Sequence, residues 1–318
     1  MDLAASTLDR TARHRAGRVD LSVVLVSWNM LPHMVSCLRS IFASDLPWPT
    51  EVVVVDNNSS DNTPAAIREQ YPAVYVIENL ENAGFARAVN QGVKAAAGKY
   101  VLLLNPDTVV NSPSLQALVA FMQHSPDAAI VGGTLLNSDG SFQASYSHFS
   151  TVPQEILIAL GIGEHLYPGY PSHHRSVRTQ EVDWMCGACL LVLRDAFLSV
   201  GGLDEEYVMY SEEVDLQYRL RQKGWKAYYI PQAHAIHHGG ASQGRLRRRR
   251  AVYRGKLLFY RKNRHWFKYL VLRFALAAIA AAKFMVWTTR AVLPWRRDSA
   301  IAEAKSNLEI LRLCVETA

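Results

Sequence analysis

Between Leu21 and Leu104 the chain alternates short, nearly continuous apolar runs with stretches whose apolar positions recur at helical spacing. Strands buried on both faces read this way, because helices cover both sides of a parallel sheet. Residues 21–27, 51–55, 73–77 and 100–104 are the four runs, and each predicts a buried strand. The second stops at the polar stretch Asp56-Asn57-Asn58-Ser59-Ser60-Asp61. Thr63-Pro64 then predicts an N-cap followed by proline in the first helical turn. The alanine-rich residues 86–97 predict a helix with Gly98 as its C-cap, and Asn105-Pro106-Asp107 ends the fourth strand. Asp56, Asn82 and Asp107 thereby fall at the carboxyl ends of parallel strands, where open α/β sheets bind their ligands.

Beyond residue 140 the texture changes. Residues 140–180 carry four histidines and little periodicity, which predicts a long loop over the site. Residues 182–193 predict a strand interrupted at Gly187, and Gly201-Gly202-Leu203-Asp204 a turn. Residues 211–223 predict a helix capped by Ser211, with Glu212, Glu213 and Asp215 in its first turn. From Trp266 to Trp295 the chain is mostly apolar. Lys268, Arg273, Lys283 and Arg290 interrupt it, leaving no uncharged run of the about 18 residues a spanning helix requires. At about 100° per residue these charges share one sector. That predicts an amphipathic helix in a membrane interface, with Trp266, Trp287 and Trp295 at headgroup level; packing on the protein itself or on a second subunit is the alternative.

Composition sharpens this picture. Of 318 residues, 49% are hydrophobic and 19% charged, enough apolar chain for a substantial core and too little charge for a disordered one. Four cysteines are too few and too scattered for a disulfide framework, and the first twenty residues hold no apolar leader stretch, so a cytosolic, reduced location is expected. The Cys186/Cys189 spacing lacks the further ligands of a zinc site and predicts ordinary buried thiols. The net charge of +6 hides a strong polarity: between Arg245 and Arg297 stand sixteen Lys/Arg and no acid, while the rest of the chain is acidic on balance. Such a segment suits an anionic membrane face. No aromatic-and-glycine recognition module accompanies the arginines, so nucleic acid is not an expected partner.

Several common chemistries are missing. Five residues separate Gly92 from Gly98 where a phosphate-binding loop has four, and Tyr100 stands where it needs Ser or Thr. No Gly-x-Gly-x-x-Gly follows the first strand. What remains is a set of acids: Asp56 could accept from a base or ribose, and Asp107 could hold a divalent cation through hard oxygen, although either residue alone is also an ordinary turn former. A carboxylate in the first turn of the 211–223 helix could take a proton from a hydroxyl, and a histidine such as His237 could complete a cation site with Asp107.

Taken in order, residues 21–29, the run from Val55 to Asp61, Glu81-Asn82-Ala83-Gly84-Phe85-Ala86, residues 102–107, Asp183-Trp184 with Gly187-Ala188, Gly202-Leu203-Asp204-Glu205, residues 212–215 and residues 237–242 resemble the family 2 glycosyltransferases of the GT-A fold. The likeness is greatest to the bacterial rhamnosyltransferases of cell-wall and O-antigen assembly and covers roughly residues 20–262. It implies an α/β, Rossmann-like GT-A domain with a mostly parallel central sheet over 19–244, after a flexible tail at 1–18 and before a basic helical membrane-associating region at 245–318. It implies that Asp56 contacts the nucleotide base, with Ser27, Asn29 and Asn105 in the same nucleotide-sugar site and Asn82, Gly84 and Asn90 beneath the nucleotide sugar. Asp107 matches the last acid of an Asp-x-Asp motif that holds a metal ion on the diphosphate, with His237 beside it; Asn105 replaces the first acid. Glu213 stands where the family has its base, with Glu212 as the other candidate, and Asp183, Trp184 and Gly187 match the wall where donor and acceptor meet. The implied activity is inverting transfer of L-rhamnose from dTDP-L-rhamnose to a polyprenyl-diphosphate-linked saccharide at the inner membrane face, with Mn2+ or Mg2+ as cofactor. A galactosyl or N-acetylglucosaminyl donor on the same fold, and a non-catalytic nucleotide- or polyanion-binding scaffold, are the alternatives.

Overall fold

The computed structural model describes residues 19–166, 174–239, 245–292 and 297–316. Its first half runs β1 (Leu21–Ser27), α1 (Leu31–Phe42), β2 (Thr50–Asp56), α2 (Thr63–Gln70), β3 (Tyr75–Glu78), α3 (Phe85–Ala95) and β4 (Tyr100–Leu104). These four strands are parallel in the order β3-β2-β1-β4, so the direction of winding reverses beside β1 and opens a crevice at its carboxyl end. In β1, Val23 and Leu25 face a core shared with Met34 and Leu38, while Val24 and Val26 face a second core with Val89 and Val93. Alternation between two buried faces explains why the strand reads as one unbroken apolar run.

The sheet continues through β5 (Thr108–Val109), β6 (Ala128–Leu136), β7 (Phe142–Gln143), β9 (Gln180–Val182), β11 (Cys189–Leu193) and β12 (Lys226–His237), with α4 (Ser112–His124) and α7 (Arg194–Ser199) on its faces. Here β11 runs antiparallel between β4 and β6, and β12 lies parallel to β6. A small second sheet pairs β8 (Tyr146–Ser147) with β10 (Trp184–Met185). The catalytic-candidate helix α8 (Glu212–Gln222) packs against β10 and β12.

Several local expectations are corrected. The segment 140–180 is not a plain loop: it holds β7, β8, α5 (Val152–Leu160) and α6 (Gly163–Leu166), with residues 167–173 outside the described set. Helix α5 starts from a reciprocal capping box between Thr151 and Gln154, a local signal too short to show as periodicity. The single strand expected over 182–193 is three short ones, because the chain leaves the small sheet at Cys186 and enters the large one at Cys189. Asn62, at φ 62°, takes the cap position expected of Thr63, and Asp61 accepts from the Thr63 backbone and hydroxyl. Gly98 is not a C-cap; α3 ends at Ala95, and Gly98 is needed because a Cβ there would lie 2.6 Å from Ser22 Oγ and 2.7 Å from its backbone nitrogen.

The carboxyl-terminal helices are α9 (Arg245–Asn263), α10 (Trp266–Arg290) and α11 (Arg297–Val315). They share a third core in which Leu257, Tyr260, Leu272, Leu276 and Ile310 meet Tyr207, with Phe149 and Tyr218 packed against it. That core crosses the expected boundary at 244/245. The charge sector of α10 faces inward at mid-helix, where Arg273 donates to the Cys314 carbonyl (2.6 Å) and Lys283 to the Ala159 carbonyl (2.6 Å). Phe267, Val271, Phe274, Ala278, Ala282 and Met285 form the outward stripe, all exposed, with Phe274 68% exposed. The orientation therefore reverses the usual one, with the polar side on protein and the apolar side outward. Trp295 lies outside the described residues.

Candidate active site

The parallel register sets Ser27 directly beside Asp56 at the ends of β1 and β2. Both are buried, at 0% and 1% exposure. One Asp56 oxygen, Oδ2, accepts from the Ser59 backbone N–H (2.8 Å), whereas Asp56 Oδ1 and Ser27 Oγ have no hydrogen-bond partner. Buried polar atoms without partners are costly, so a polar ligand edge at the mouth of β1 and β2 is what this pair suits. Asn29 holds the neighbouring loop: at φ 55° its Oδ1 accepts from Ser60 N–H (2.7 Å) and its N–H donates to Ser59 Oγ. The exposed Asn82 accepts from Gly84 N–H (3.0 Å), and Gly84 adopts φ 85°, ψ 161°, a region open only to glycine, to start α3. Beneath them Asn57 donates to Gly84 O and accepts from Asn79, which exchanges hydrogen bonds with Gln91.

Asn90 is buried and engaged within the fold. Its amide donates to Leu203 O (2.8 Å) and Glu205 Oε1 (3.1 Å) and accepts from Leu203 N–H (2.9 Å). These bonds pin the Gly202–Glu205 turn against α3. Gly202, at φ 77°, makes the approach possible, since a Cβ there would lie 2.4 Å from Asn90 Oδ1.

At the end of β4, Asn105 is half-buried and Asp107 buried. The chain from β12 returns antiparallel to β5, which brings His237 Nε2 to 3.4 Å from Asp107 Oδ1. Gln143 was not anticipated, because it sits in the segment read as loop. Its Nε2 donates to Asn137 Oδ1 (3.0 Å), which leaves Oε1 to accept from His237 Nδ1 (2.7 Å). A histidine held through Nδ1 aims Nε2 at the carboxylate, and the gap between them suits either a shared proton or a cation. Burial pushes the Asp107 carboxyl up, but hydrogen bonding and charge from His237 outweigh it and hold the group below the usual carboxylate range. Among the described residues no set of three His, Cys, Asp or Glu converges, so a cation here would need ligands from a substrate.

Helix α8 carries the acids. A Cβ built at Gly187 would lie 3.6 Å from Glu213 Cβ, Met185 N–H donates to Gln217 Oε1 (2.9 Å), and Asp183 pairs with Arg221. Residues 183–187 thus run antiparallel along α8, two residues of extended chain matching four of helix. Gly187 therefore reaches Glu213, but Asp183 lies two helical turns away, about 12 Å along the axis. Its carboxylate also accepts from Phe149 N–H (2.8 Å). Asp183 is thus engaged by Arg221 and the Phe149 backbone, at the far end of this segment from Glu213. Trp184, next to it, donates through Nε1 to His148 O (3.0 Å).

Glu212 is buried, with Oε2 unpartnered, and Glu213 is half-buried. Burial raises both carboxyls, Glu212 well above its ordinary value with the charge of Glu213 adding to the effect. Of the two, Glu213 has the access to solvent that a proton acceptor needs. Burial likewise pushes the Cys186 and Cys189 thiols up to about 12, so both remain thiols. Ser211 occupies the cap position but makes no side-chain cap bond; it and Tyr210 both take positive φ, 73° and 70°. Asp215 belongs to the scaffold: it accepts from Arg219 Nε (2.7 Å), Asn263 Nδ2 (2.6 Å) and Tyr207 Oη (3.3 Å).

Residues 22–201 match the family described as Glycosyl transferase family 2. The chain is 34% identical over 245 residues to the N-acetylglucosaminyl-diphospho-decaprenol L-rhamnosyltransferase of Mycobacterium tuberculosis, covering 71% of this chain and 78% of that protein. It is 30% identical over 153 residues to the rhamnosyltransferase WbbL of Escherichia coli, covering 47% of this chain and 56% of that one. Among solved structures, the mannosyltransferase PcManGT of Pyrobaculum calidifontis, in complex with GDP-Man and Mn2+, superposes with a TM-score of 0.55 at 18% identity, covering 98% and 94% of the two chains.

Proposed function

Since the chain belongs to glycosyl transferase family 2, we propose that it transfers L-rhamnose, with inversion, from dTDP-L-rhamnose to a hydroxyl of an N-acetylglucosaminyl-diphospho-polyprenol. The observation that carries the chemistry is the placing of a half-buried carboxylate, Glu213, against the open backbone at Gly187, on a fold whose crevice holds the unpartnered Ser27 Oγ and Asp56 Oδ1. The rhamnosyltransferase relatives support the choice of sugar, and the printed substrate of the mycobacterial relative supports the acceptor.

In this reading Asp56 and Ser27 satisfy the polar edge of the nucleotide, while the loop held by Asn29, Asn82 and Gly84 shapes the crevice. Asp107 and His237 would hold a divalent cation, Mn2+ or Mg2+, which when bound neutralises charge on the departing diphosphate. Glu213, its pKa raised by burial, accepts the proton of the acceptor hydroxyl as that oxygen attacks the anomeric carbon. The oxygen–carbon bond forms on the face opposite the breaking bond to the diphosphate, so one displacement inverts the centre through an oxocarbenium-like transition state. Glu212, more deeply buried, holds its proton and spares Glu213 a neighbouring negative charge.

The exposed stripe of α10 fits the cytoplasmic surface of an anionic membrane. Its occupant is lipid because the surrounding segment is basic, with sixteen cationic residues and no acid from Arg245 to Arg297, and because Trp266, Lys268 and Arg290 stand near the helix ends.

The test is nucleoside-diphosphate release by the purified protein over a panel of sugar nucleotides, with Mn2+ or Mg2+, with and without the diphosphate-lipid acceptor. Acceptor-stimulated release from dTDP-rhamnose is the expected result. Stimulated release from another donor alone would overturn the rhamnose assignment, and binding of nucleotide without any release would overturn the transferase reading of the site.

A further inference from the structure

One face of α9 carries Arg250, Ala251, Arg254, Gly255 and Leu258, at spacings of one and four residues, and lies against residues 206–210. Between them is a cavity of about 180 Å³. That is smaller than the roughly 300–1,000 Å³ of sites that enclose a whole drug-sized ligand, so it suits a fragment of a substrate. One side is apolar, from Val208, Met209 and Leu258; the other is cationic. The Arg248 guanidinium stands 6.0 Å from the centre of the ring of Tyr210, a lining residue. Glu206 also lines the cavity, but its charge is taken up by Arg261 and Lys262. Arg250 sits 3.4 Å from both Glu309 and Glu316, and Arg254 is exposed with no carboxylate at ion-pair distance among the described residues.

The position is as informative as the lining. Tyr210 is three residues before Glu213, and Gly255 touches that turn so closely that a Cβ there would lie 2.4 Å from Tyr210 O. We propose that this cavity, with Arg254 in its lining and Arg248 beside Tyr210, seats the diphosphate of the acceptor and the first apolar carbons of its lipid, and so selects diphosphate-linked saccharides. The inference rests on the acceptor class stated above. In a monosaccharide acceptor one sugar ring carries both the diphosphate and the attacking hydroxyl, so the first phosphate follows directly beyond the ring whose hydroxyl meets Glu213. Guanidinium groups pair bidentately with phosphate oxygens, and apolar walls beside them accommodate the start of a prenyl chain.

Arg254→Gln and Arg254→Lys, with unchanged melting temperatures as the check on folding, are compared with the native chain on two acceptors: N-acetylglucosamine carrying a diphosphate-linked alkyl chain, and the same sugar joined to the alkyl chain directly. The Gln variant is expected to raise KM for the diphosphate acceptor ten-fold or more with KM for the donor unchanged, to leave KM for the direct glycoside alone, and to be partly rescued in the Lys variant. An equal shift on both acceptors, or no shift while the native chain uses the diphosphate acceptor well, overturns the assignment of the cavity alone. A native chain that shows no preference for the diphosphate acceptor overturns both this assignment and the acceptor class on which it rests.

Discussion

The crevice built on β1, β2 and β4 and the helical layer of α9, α10 and α11 are stabilised differently. In the crevice, parallel strands fix Ser27, Asp56 and Asn105 at consecutive strand ends, and each side chain's place follows from the backbone register. In the helical layer, position follows from side-chain contacts between distant segments: Lys256 with Glu155, Asn263 with Asp215, Arg273 with the Cys314 carbonyl. The first arrangement rests on main-chain pairing of strands that are themselves far apart in sequence, Leu21 lying beside both Thr50 and Tyr100. The second holds α8, the helix of the proposed base, through a contact set that no short motif encodes.

The largest effect separates chemistry from scaffold. Glu213→Gln is expected to lower kcat by about 10²–10⁴-fold, the usual worth of a general base, with nucleotide affinity retained. Titration calorimetry beside single-turnover rates measures both, and undiminished turnover would transfer the role to Glu212. Because burial raises the Glu213 pKa and only the carboxylate accepts a proton, native turnover should rise with pH through a value above that of an ordinary glutamate.

Next in size is the outward stripe of α10. Phe274→Glu removes a side chain worth roughly 1.5–3 kcal/mol of apolar burial, so partition onto phosphatidylglycerol vesicles should fall about 10- to 100-fold. Its melting temperature should not change, because the residue touches no core. Equal vesicle binding by variant and native chain in sedimentation would return the stripe to ordinary surface.

A smaller effect tests the seam between the two regions. Gly255→Ala places a methyl where Tyr210 O already stands, and overpacking of this kind costs about 1–3 kcal/mol. Denaturant unfolding should show that loss together with a reduced kcat, while donor affinity stays level. Smallest is Glu212→Gln. Burial lifts the folded-state pKa of Glu212 above its unfolded value, so the folded form keeps the proton to higher pH. Native stability is then greatest below the unfolded carboxylate value and declines as pH rises through the window between the two. The Gln variant should flatten that decline and melt slightly higher at neutral pH; an unchanged pH slope would show Glu212 ionised.

The same division explains what the sequence disclosed. β1 and β4 were legible to the residue, because two-faced burial leaves an unbroken apolar run, and the place of Asp107 follows from the limit of β4. The hydrogen bonds of Asn90 were not legible, because only the tertiary fold brings Leu203 and Glu205 to its amide. The separation of Asp183 from Glu213 was not legible either: nearness in sequence to Gly187 becomes two helical turns of distance once the segment lies along α8. Gln143, which orients His237, carried no signal beyond a lone amide in a weakly periodic stretch. For α10 the sector of charge was readable, but whether that sector faces water or protein depends on carbonyls at 159 and 314 that no helical projection contains.

The Asn263–Asp215 hydrogen bond has an engineering corollary. Exchanging carboxyl-terminal tails between related enzymes, a natural way to graft a new acceptor preference, would carry off one of the anchors that set the pitch of the base-bearing helix. A chimaera spliced at residue 244 would inherit both a new set of carboxyl-terminal helices and an α8 without its Asn263 anchor. A splice beyond Asn263 would separate the two inheritances.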